Sequence, residues 1–222
     1  MQTSMERSAE GRRERKKRER RDAIAQHALA LFAAEGFDNV TIREVAEAAD
    51  VSEPTVFNYF PTKESLVFHQ DQAREAAMIA AVRQRAEGTT VLAAFQSCAL
   101  ALVDFEWPVT FVQFVRVVQS SPRLQQYRRE VYARHAQTLA AYLRQEHPRL
   151  NGVIATSVAL ALMGVAVAAS ESLGQRVMAG QAPRRAASSA RGETKRAFAL
   201  LGHGLADFGV REPTPAGRRR AR

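Results

Sequence analysis

The residues best suited to chemistry lie together, between Thr41 and Lys63. Thr55 and Asn58 are three positions apart, which places them on one face of a helix. An asparagine amide can pair with N6 and N7 of adenine, and a threonine methyl can contact the methyl of thymine. Hydroxyl and cationic residues that can hold phosphates surround them in the sequence: Arg43, Ser52, Tyr59 and Lys63. The pattern predicts a base-reading centre with a phosphate-contacting rim.

Two short helices joined by a tight turn are predicted to position these residues. Thr41-Ile-Arg-Glu44 is a capping box that begins the first of them. Asp50-Val51 makes the turn, Ser52 is a typical N-cap, and Pro54 is tolerated in a first helical turn. Any helical hairpin has apolar residues at such spacings, but the polar outer face favours a helix-turn-helix whose second helix enters the major groove of DNA.

A packing helix precedes this pair. Its apolar residues recur at helical spacing in Ile24, Ala28, Leu31 and Phe32, and Gly36 stands where a left-handed C-terminal cap would end it. Val56 and Phe60 are predicted to face the core from the second short helix, which Pro61 ends.

The composition favours an all-α fold. Of 222 residues 46% are hydrophobic but only 7% aromatic, and alanine dominates the long segments. We predict about nine helices: an N-terminal three-helix helix-turn-helix domain, and a larger helical domain for ligand binding and dimerisation. The predicted divisions are a disordered basic extension (1–19), the helix-turn-helix domain (20–66), the second domain (67–210) and a disordered basic tail (211–222).

The remaining helices are placed by their apolar periodicity and by proline and glycine. A single long fourth helix is predicted from Thr62 or Lys63 to about Ala86, connecting the two domains. Further helices are expected at about 90–105, 108–119, 123–146, 150–178 and 193–208, with a loop at 180–192.

The net charge of +9 implies affinity for polyanions, either nucleic acid or an anionic membrane. Eight of the ten residues from Arg12 to Arg21 are Arg or Lys. This segment is either a solvated disordered tail or a fraying helical extension, and it could follow the minor groove as basic arms do in other helix-turn-helix proteins.

Several other classes are disfavoured. The single Cys98 cannot form an intrachain disulfide, and the N-terminus lacks the apolar region of a secretory signal. The run from Val153 to Ala169 is interpreted as a buried helix of a soluble protein, so no membrane partner is expected.

An enzyme is the first alternative, but the five histidines lack metal-binding spacing, Cys98 lacks a visible base, and no phosphate-cradling glycine loop occurs. The second alternative is a non-specific architectural DNA binder driven by the basic segment.

The segment from Gly36 to Leu66 resembles the DNA-binding region of the tetracycline-repressor (TetR) family of regulators. The resemblance covers about Arg20 to Val67 and rests on a glycine-aromatic corner, Thr-Ile-Arg-Glu-Val-Ala, an acidic turn residue before Val-Ser, and Thr-x-Phe-x-Tyr-Phe-Pro-x-Lys-Glu. Many relatives have tyrosine at the position of Phe57, so the tyrosine hydroxyl is missing here.

Positions that usually hold phosphates correspond to Thr41, Ser52, Tyr59 and Lys63. Positions that commonly reach bases or sugars correspond to Arg43, Thr55, Phe57 and Asn58. Pro54 is included in the predicted DNA-binding set, and Glu53 is ambiguous, since it could accept from cytosine, repel phosphate or only favour the helix start.

The resemblance also implies a homodimer through the last two long helices, a palindromic operator on double-stranded DNA, and repression relieved by a small molecule. The effector is expected to be hydrophobic, and Trp107, Phe111, Arg116 and His135 are the candidate ligand-binding residues. An arginine such as Arg116 more often pairs with a carboxylate or reaches solvent. No cofactor, metal or enzymatic activity is expected, and the expected location is the cytoplasm, in association with the nucleoid.

Overall fold

The structure is a computed structural model that describes the backbone of residues 2–103 and 109–204 and the side chains of residues 13–101 and 110–204. The regular structure of these residues is entirely helical, which confirms the all-α prediction. It comprises α1 (Gln2–Glu35), α2 (Ile42–Ala48), α3 (Glu53–Tyr59), α4 (Lys63–Val67), α5 (Asp71–Arg83), α6 (Val91–Val103), α7 (Val109–Ser120), α8 (Pro122–Glu146), α9 (Gly152–Met178) and α10 (Pro183–Gly202). The predicted tail at 211–222 lies outside the described residues.

Helix α1 runs through the basic segment. It begins at Gln2, so residues 2–19 are helical. This agrees with the alternative of a helical extension and not with the disordered extension predicted for residues 1–19. Its end is as predicted, because Gly36 has a φ of 89°, a conformation that glycine adopts at little cost. The proposed domain boundaries themselves stay a prediction.

The prediction of a single long fourth helix is wrong. The chain forms α4 and α5, separated by a turn at residues 68–70. Phe68 is buried at this turn, with its ring centroid 5.7 Å from that of Phe114 and 5.3 Å from that of Tyr127. Packing the Phe68 ring between α7 and α8 is favoured over continuing the helix through residues 68–70. With this break the described residues contain ten helices, where about nine were expected.

The predicted loop at 180–192 is also wrong beyond residue 182. Helix α10 begins at Pro183, which suits a first turn, and presents a stripe of buried residues four positions apart: Ala186, Ala190, Thr194 and Phe198. Small alanine side chains give a weak apolar signal in the sequence, but they allow close packing of α10 on α9. The predicted extension of this helix to residue 208 lies outside the described residues.

Three clusters of buried residues form the interior of the described part of the chain, two large and one small. The first joins the helix-turn-helix, through residues such as Phe32, Val56 and Phe60, to Val117 and Leu124 of α7 and α8. The second lies within the larger part of the molecule and joins α5, α6, α8, α9 and α10. The helix-turn-helix therefore shares its core with α7 and the start of α8 and is not packed separately.

Helix α9 is less buried than predicted. It is 27 residues long with a mean hydropathy of 2.2 over its most apolar window, yet only 22% of that window is buried, so by length and composition alone it could cross a membrane. One side packs against α8 and α10, while the other leaves Val153 74% and Leu160 55% exposed. The expectation of a buried helix fails because no element among residues 2–103 and 109–204 covers this second side.

Candidate DNA-binding surface

The capping box at the start of α2 forms as predicted. The Thr41 amide donates to Glu44 Oε2 over 2.6 Å, the Thr41 hydroxyl donates to the same oxygen over 2.8 Å, and the Glu44 amide donates to Thr41 Oγ1 over 3.3 Å. The backbone hydrogen bond from Thr41, followed by its hydroxyl, lowers the pKa of Glu44. The Thr41 hydroxyl is therefore engaged with Glu44 at the edge of the surface where a phosphate contact is predicted.

The turn and the cap of α3 set the orientation of the recognition helix. Asp50 has a φ of 50°, and the Val51 amide donates to the Ala46 carbonyl over 3.0 Å. Ser52 Oγ accepts from the Thr55 amide over 3.4 Å and lies 2.8 Å from Thr55 Oγ1. Since Val56 is fully buried below, α3 is held with its opposite face outward.

The outward face of α3 carries most of the predicted base-contacting residues. Phe57 is 49% exposed and Asn58 is also exposed. Thr55 and Tyr59 are half-buried, and the Thr55 hydroxyl already faces Ser52, which leaves its methyl as the group available to a base. Glu53 and Pro54 are exposed in the first turn.

The two cations of the rim differ in their surroundings. Arg43 lies on the surface of α2 and pairs with Glu47 at 3.1 Å, an exposed contact of little energy that a phosphate can replace. The Lys63 ammonium instead donates to the Phe37 carbonyl and lies 4.5 Å from the centre of the Phe37 ring. Burial lowers the pKa of Lys63. The lysine thus holds the corner after α1 in the free protein.

Residues 24–69 match the family model described as Bacterial regulatory proteins, tetR family. The helix-turn-helix of this chain is of the TetR type. It is 34% identical over 93 residues to the HTH-type transcriptional regulator TcmR of Streptomyces glaucescens, an alignment that covers 42% of this chain and 41% of TcmR. It is 27% identical over 152 residues to MftR of Mycobacterium tuberculosis (strain ATCC 25618 / H37Rv), named as a mycofactocin biosynthesis transcriptional regulator, covering 67% of this chain and 76% of MftR.

The fold agrees with that of a solved TetR-family structure. The regulator from Syntrophomonas wolfei str. Goettingen superposes with a TM-score of 0.57 at 18% identity, and the match covers 85% of this chain and 97% of that one. The TetR-like architecture therefore extends beyond the helix-turn-helix, while the alignment with TcmR spans less than half of the length of TcmR.

The candidate effector residues are not brought together at a described cavity. Trp107 lies outside the described residues. Phe111 packs against a small cluster between α9 and α10, Arg116 is exposed on α7, and His135 is buried beside Asp71 of α5. None of these three lines the cavity of about 320 Å³ beside the end of α9 or the cavity of about 690 Å³ beside α3.

Two features near the DNA-binding surface were missed from the sequence. Glu64 of α4 is buried and forms an ion pair with Arg123 in the first turn of α8. Lys17, Arg18 and Arg21 of α1 line the same cavity as Asn58 and Tyr59. Both depend on contacts across more than 35 positions in the chain, for which no local pattern gives a signal.

Proposed function

We propose that the protein is a sequence-specific DNA-binding transcriptional regulator of the TetR family, a repressor that binds a palindromic operator as a homodimer and is released by a hydrophobic small molecule. The observation that carries the proposal is the outward face of α3, where Phe57 and Asn58 are exposed on a short helix fixed from below by Val56. A helix held in this way can enter the major groove with its side chains free to meet base edges.

The base-reading part of the proposal assigns different contacts to different side chains. Asn58 reads adenine, Phe57 and the Thr55 methyl contact thymine methyls or sugars, and Arg43 reaches a base or sugar from α2. Thr41, Ser52, Tyr59 and Lys63 contact phosphates, which fixes the position of the helix on the duplex. Glu53 and Pro54 lie at the start of α3, where the carboxylate favours the helix N-terminus.

The basic segment of α1 supports an additional electrostatic contribution. Lys17, Arg18 and Arg21 lie on the side of α1 that faces Asn58 and Tyr59. Because this segment is helical, we propose that it follows the phosphates beside the recognition helix as a rigid extension rather than a flexible arm in the minor groove.

The dimer is supported by the uncovered face of α9. Val153, Ser157, Leu160 and Gly164 are exposed at spacings of four and three residues, which is the seam spacing of paired helices. Leu200 of α10 is 47% exposed. A second copy of this chain, adding its own α9 and α10, would bury these faces in a four-helix bundle. Such a twofold axis presents two recognition helices to half-sites one helical turn, or a multiple of it, apart.

Control by an effector requires two arrangements of the recognition helices, of which the ligand favours the one that does not bind DNA. The core shared by α1, α7 and α8, together with the ion pair between Glu64 and Arg123, connects the recognition helix to the larger domain. We propose that ligand-induced movement passes through this connection, in place of the single long helix predicted from the sequence, and that the protein acts in the cytoplasm on the nucleoid.

The proposal is tested by titrating labelled DNA from upstream of the gene and of its divergent neighbour with purified protein, followed by footprinting. We expect a palindromic footprint and clear preference over a scrambled duplex at the same salt concentration. Equal affinity for both duplexes, with a steep salt dependence and no footprint, would show a non-specific binder instead.

A further inference from the structure

A cavity of about 690 Å³ lies where the DNA-reading helices meet the larger domain. Its wall is formed by α1, by the end of α3 with Asn58 and Tyr59, by α4 and α5, and by Tyr127 and Arg134 of α8. The volume falls within the roughly 300–1,000 Å³ typical of small-molecule sites. The cavity is a half-open cleft with room for a small molecule, and it touches both parts of the molecule.

The α1 wall is cationic. Lys17, Arg18 and Arg21 line it, together with Glu14. The Arg21 guanidinium lies 5.4 Å from the centre of the Phe60 ring. Among the residues whose side chains are described, neither Lys17 nor Arg18 forms an ion pair. These two side chains are available to an anion in the cavity.

The opposite wall contains carboxylates, of which Asp71 is already compensated. Arg134 Nη2 lies 3.5 Å from Asp71 Oδ2, and His135 Nε2 lies 2.9 Å from Asp71 Oδ1 without hydrogen-bond geometry. His135 is buried behind this wall, so Asp71 keeps a polar neighbour if Arg134 turns towards an occupant. Glu75 is the other carboxylate on α5.

The balance of charge limits the kind of occupant. Four cationic and three anionic side chains line the cavity, which leaves one net positive charge that a monoanion neutralises. The aromatic rings of Tyr59, Phe68 and Tyr127 supply flat apolar surface between the charged walls. We propose that the cavity is a binding site for a small organic monoanion with a flat apolar body, whose anionic group contacts Lys17 and Arg18.

Occupation of the cavity opposes DNA binding. Asn58 and Tyr59 contribute both to the cavity wall and to the proposed DNA contacts, so one group cannot serve both partners fully. This coupling rests on the proposed function, whereas binding of the anion to the free protein does not. Because linkage is reciprocal, bound DNA must lower the affinity for the anion by the same factor by which the bound anion lowers the affinity for DNA.

The test uses 2-naphthoate, an aromatic monoanion, with neutral 2-naphthamide as the matched probe, in calorimetric titrations of the full-length protein without DNA. We expect the amide to bind at least about tenfold more weakly, because it forgoes charge-assisted hydrogen bonds to Lys17 and Arg18. Equal affinity for the two probes, or no binding of naphthoate, overturns the proposed site.

Two variants locate the binding. Lys17→Ala/Arg18→Ala removes two cations from the cavity, while Arg13→Ala/Lys16→Ala removes the same charge from exposed positions of α1 that do not line it. We expect the first pair to weaken naphthoate binding by about tenfold and the second by less than about twofold. Similar losses from both pairs would show a general effect of net charge and would contradict the site.

A third variant blocks the cavity without changing its charge. Gln72 is exposed on the wall, and Gln72→Trp should fill part of the space and abolish naphthoate binding. In the wild type, naphthoate should raise the dissociation constant of the operator, and in Gln72→Trp it should not. If Lys17→Ala/Arg18→Ala weakens DNA binding but leaves the affinity for naphthoate unchanged, these cations contact the DNA backbone. The proposed small-molecule site is then wrong. If the protein binds no specific DNA, the proposed function fails while the naphthoate titrations still decide the site.

Discussion

Lys63 has one set of partners in the free protein and a second, proposed partner on DNA. In the free protein its ammonium donates to the Phe37 carbonyl, lies over the Phe37 ring and has a pKa lowered by burial. A phosphate that draws the side chain out of this corner replaces a charged hydrogen bond and a cation–π contact. The net gain from such a phosphate contact is reduced by the loss of these two contacts.

The double role predicts that Lys63→Ala affects stability as well as DNA binding. We expect the free energy of unfolding in urea to fall by about 1–2 kcal/mol, because the corner loses both contacts. Affinity should fall equally for all DNA sequences, and the salt slope should decrease by about one. Lys16→Ala, at an exposed position of α1, is the control for stability. Unchanged stability would mean that the amine does not hold the corner in solution.

Asn58 is predicted to act on sequence preference alone. Asn58→Ala should cost roughly 1–3 kcal/mol on the native operator and relax the preference at one base pair. The affinity of this variant for random DNA should be unchanged, since the Asn58 side chain is exposed and is assigned to a base edge. Gln26→Ala removes another exposed amide from the same domain and should change neither affinity. Fluorescence anisotropy with single-substituted operators measures these effects; a uniform loss on all DNA would assign Asn58 to phosphate contact.

At the scale of elements, the capping box makes the stability of α2 depend on pH. Hydrogen bonds from Thr41 lower the pKa of Glu44 below its ordinary value of 4.5. A carboxylate with a lowered pKa stabilises the folded state above its unfolded pKa, and this stabilisation is lost as the pH falls through the folded pKa. We therefore expect wild type to be more stable than Glu44→Gln near neutral pH, with a difference that shrinks below about pH 4.5.

Urea denaturation at several pH values measures this difference. Glu47→Gln is the matched control, because Glu47 lies on the same helix and in an exposed pair with Arg43. A difference between wild type and Glu44→Gln that stays constant down to pH 3 would contradict the assignment, since it would have to arise from a group other than the Glu44 carboxylate.

Elements defined by local polar signals were predictable from the sequence. Thr41 with Glu44, Ser52, and Gly36 mark helix ends through bonds to their own neighbours, and each occurs in the structure. The break after Val67 was not predictable, because the rings that hold Phe68 come from α7 and α8. For α10, alanine was the obstacle, since a buried and an exposed alanine look alike in a sequence.

The assignment of DNA-binding residues has the same limit. The exposure of Phe57 and Asn58 follows from the periodicity of α3. Two other features depend on tertiary contacts. Lys63 is held by Phe37, 26 positions away, and Lys17 and Arg18 border the recognition helix. Contacts between distant segments decide which of several suitable side chains is free to bind.

For the molecule as a whole, the shared core makes the DNA-reading domain a part of the larger domain. Leu124 of α8 is fully buried among residues of α1 to α4, and Glu64 is tied to Arg123. A movement of α8 at Arg123 and Leu124 must therefore carry the helix-turn-helix with it or break these contacts. In a dimer, such a movement changes the distance between two recognition helices, and that distance decides whether both fit one operator.

The whole-molecule prediction concerns the face that would hold this dimer together. Leu160 is 55% exposed in the single chain, so Leu160→Arg should leave the fold of the protomer intact. Across a twofold axis the same change places two cations in an apolar seam, where burying them without partners is costly. We expect the variant to elute as a monomer of 24.5 kDa and to lose the palindromic footprint.

Ala141→Arg is the matched control, because it adds the same side chain at an exposed position of α8. It should stay dimeric and bind the operator like the wild type. Size-exclusion chromatography with light scattering gives the mass, and circular dichroism shows whether each variant keeps its helices. A Leu160→Arg protein that remains a dimer would place the interface elsewhere. The 22% burial of the apolar window of α9 would then need another partner to explain it.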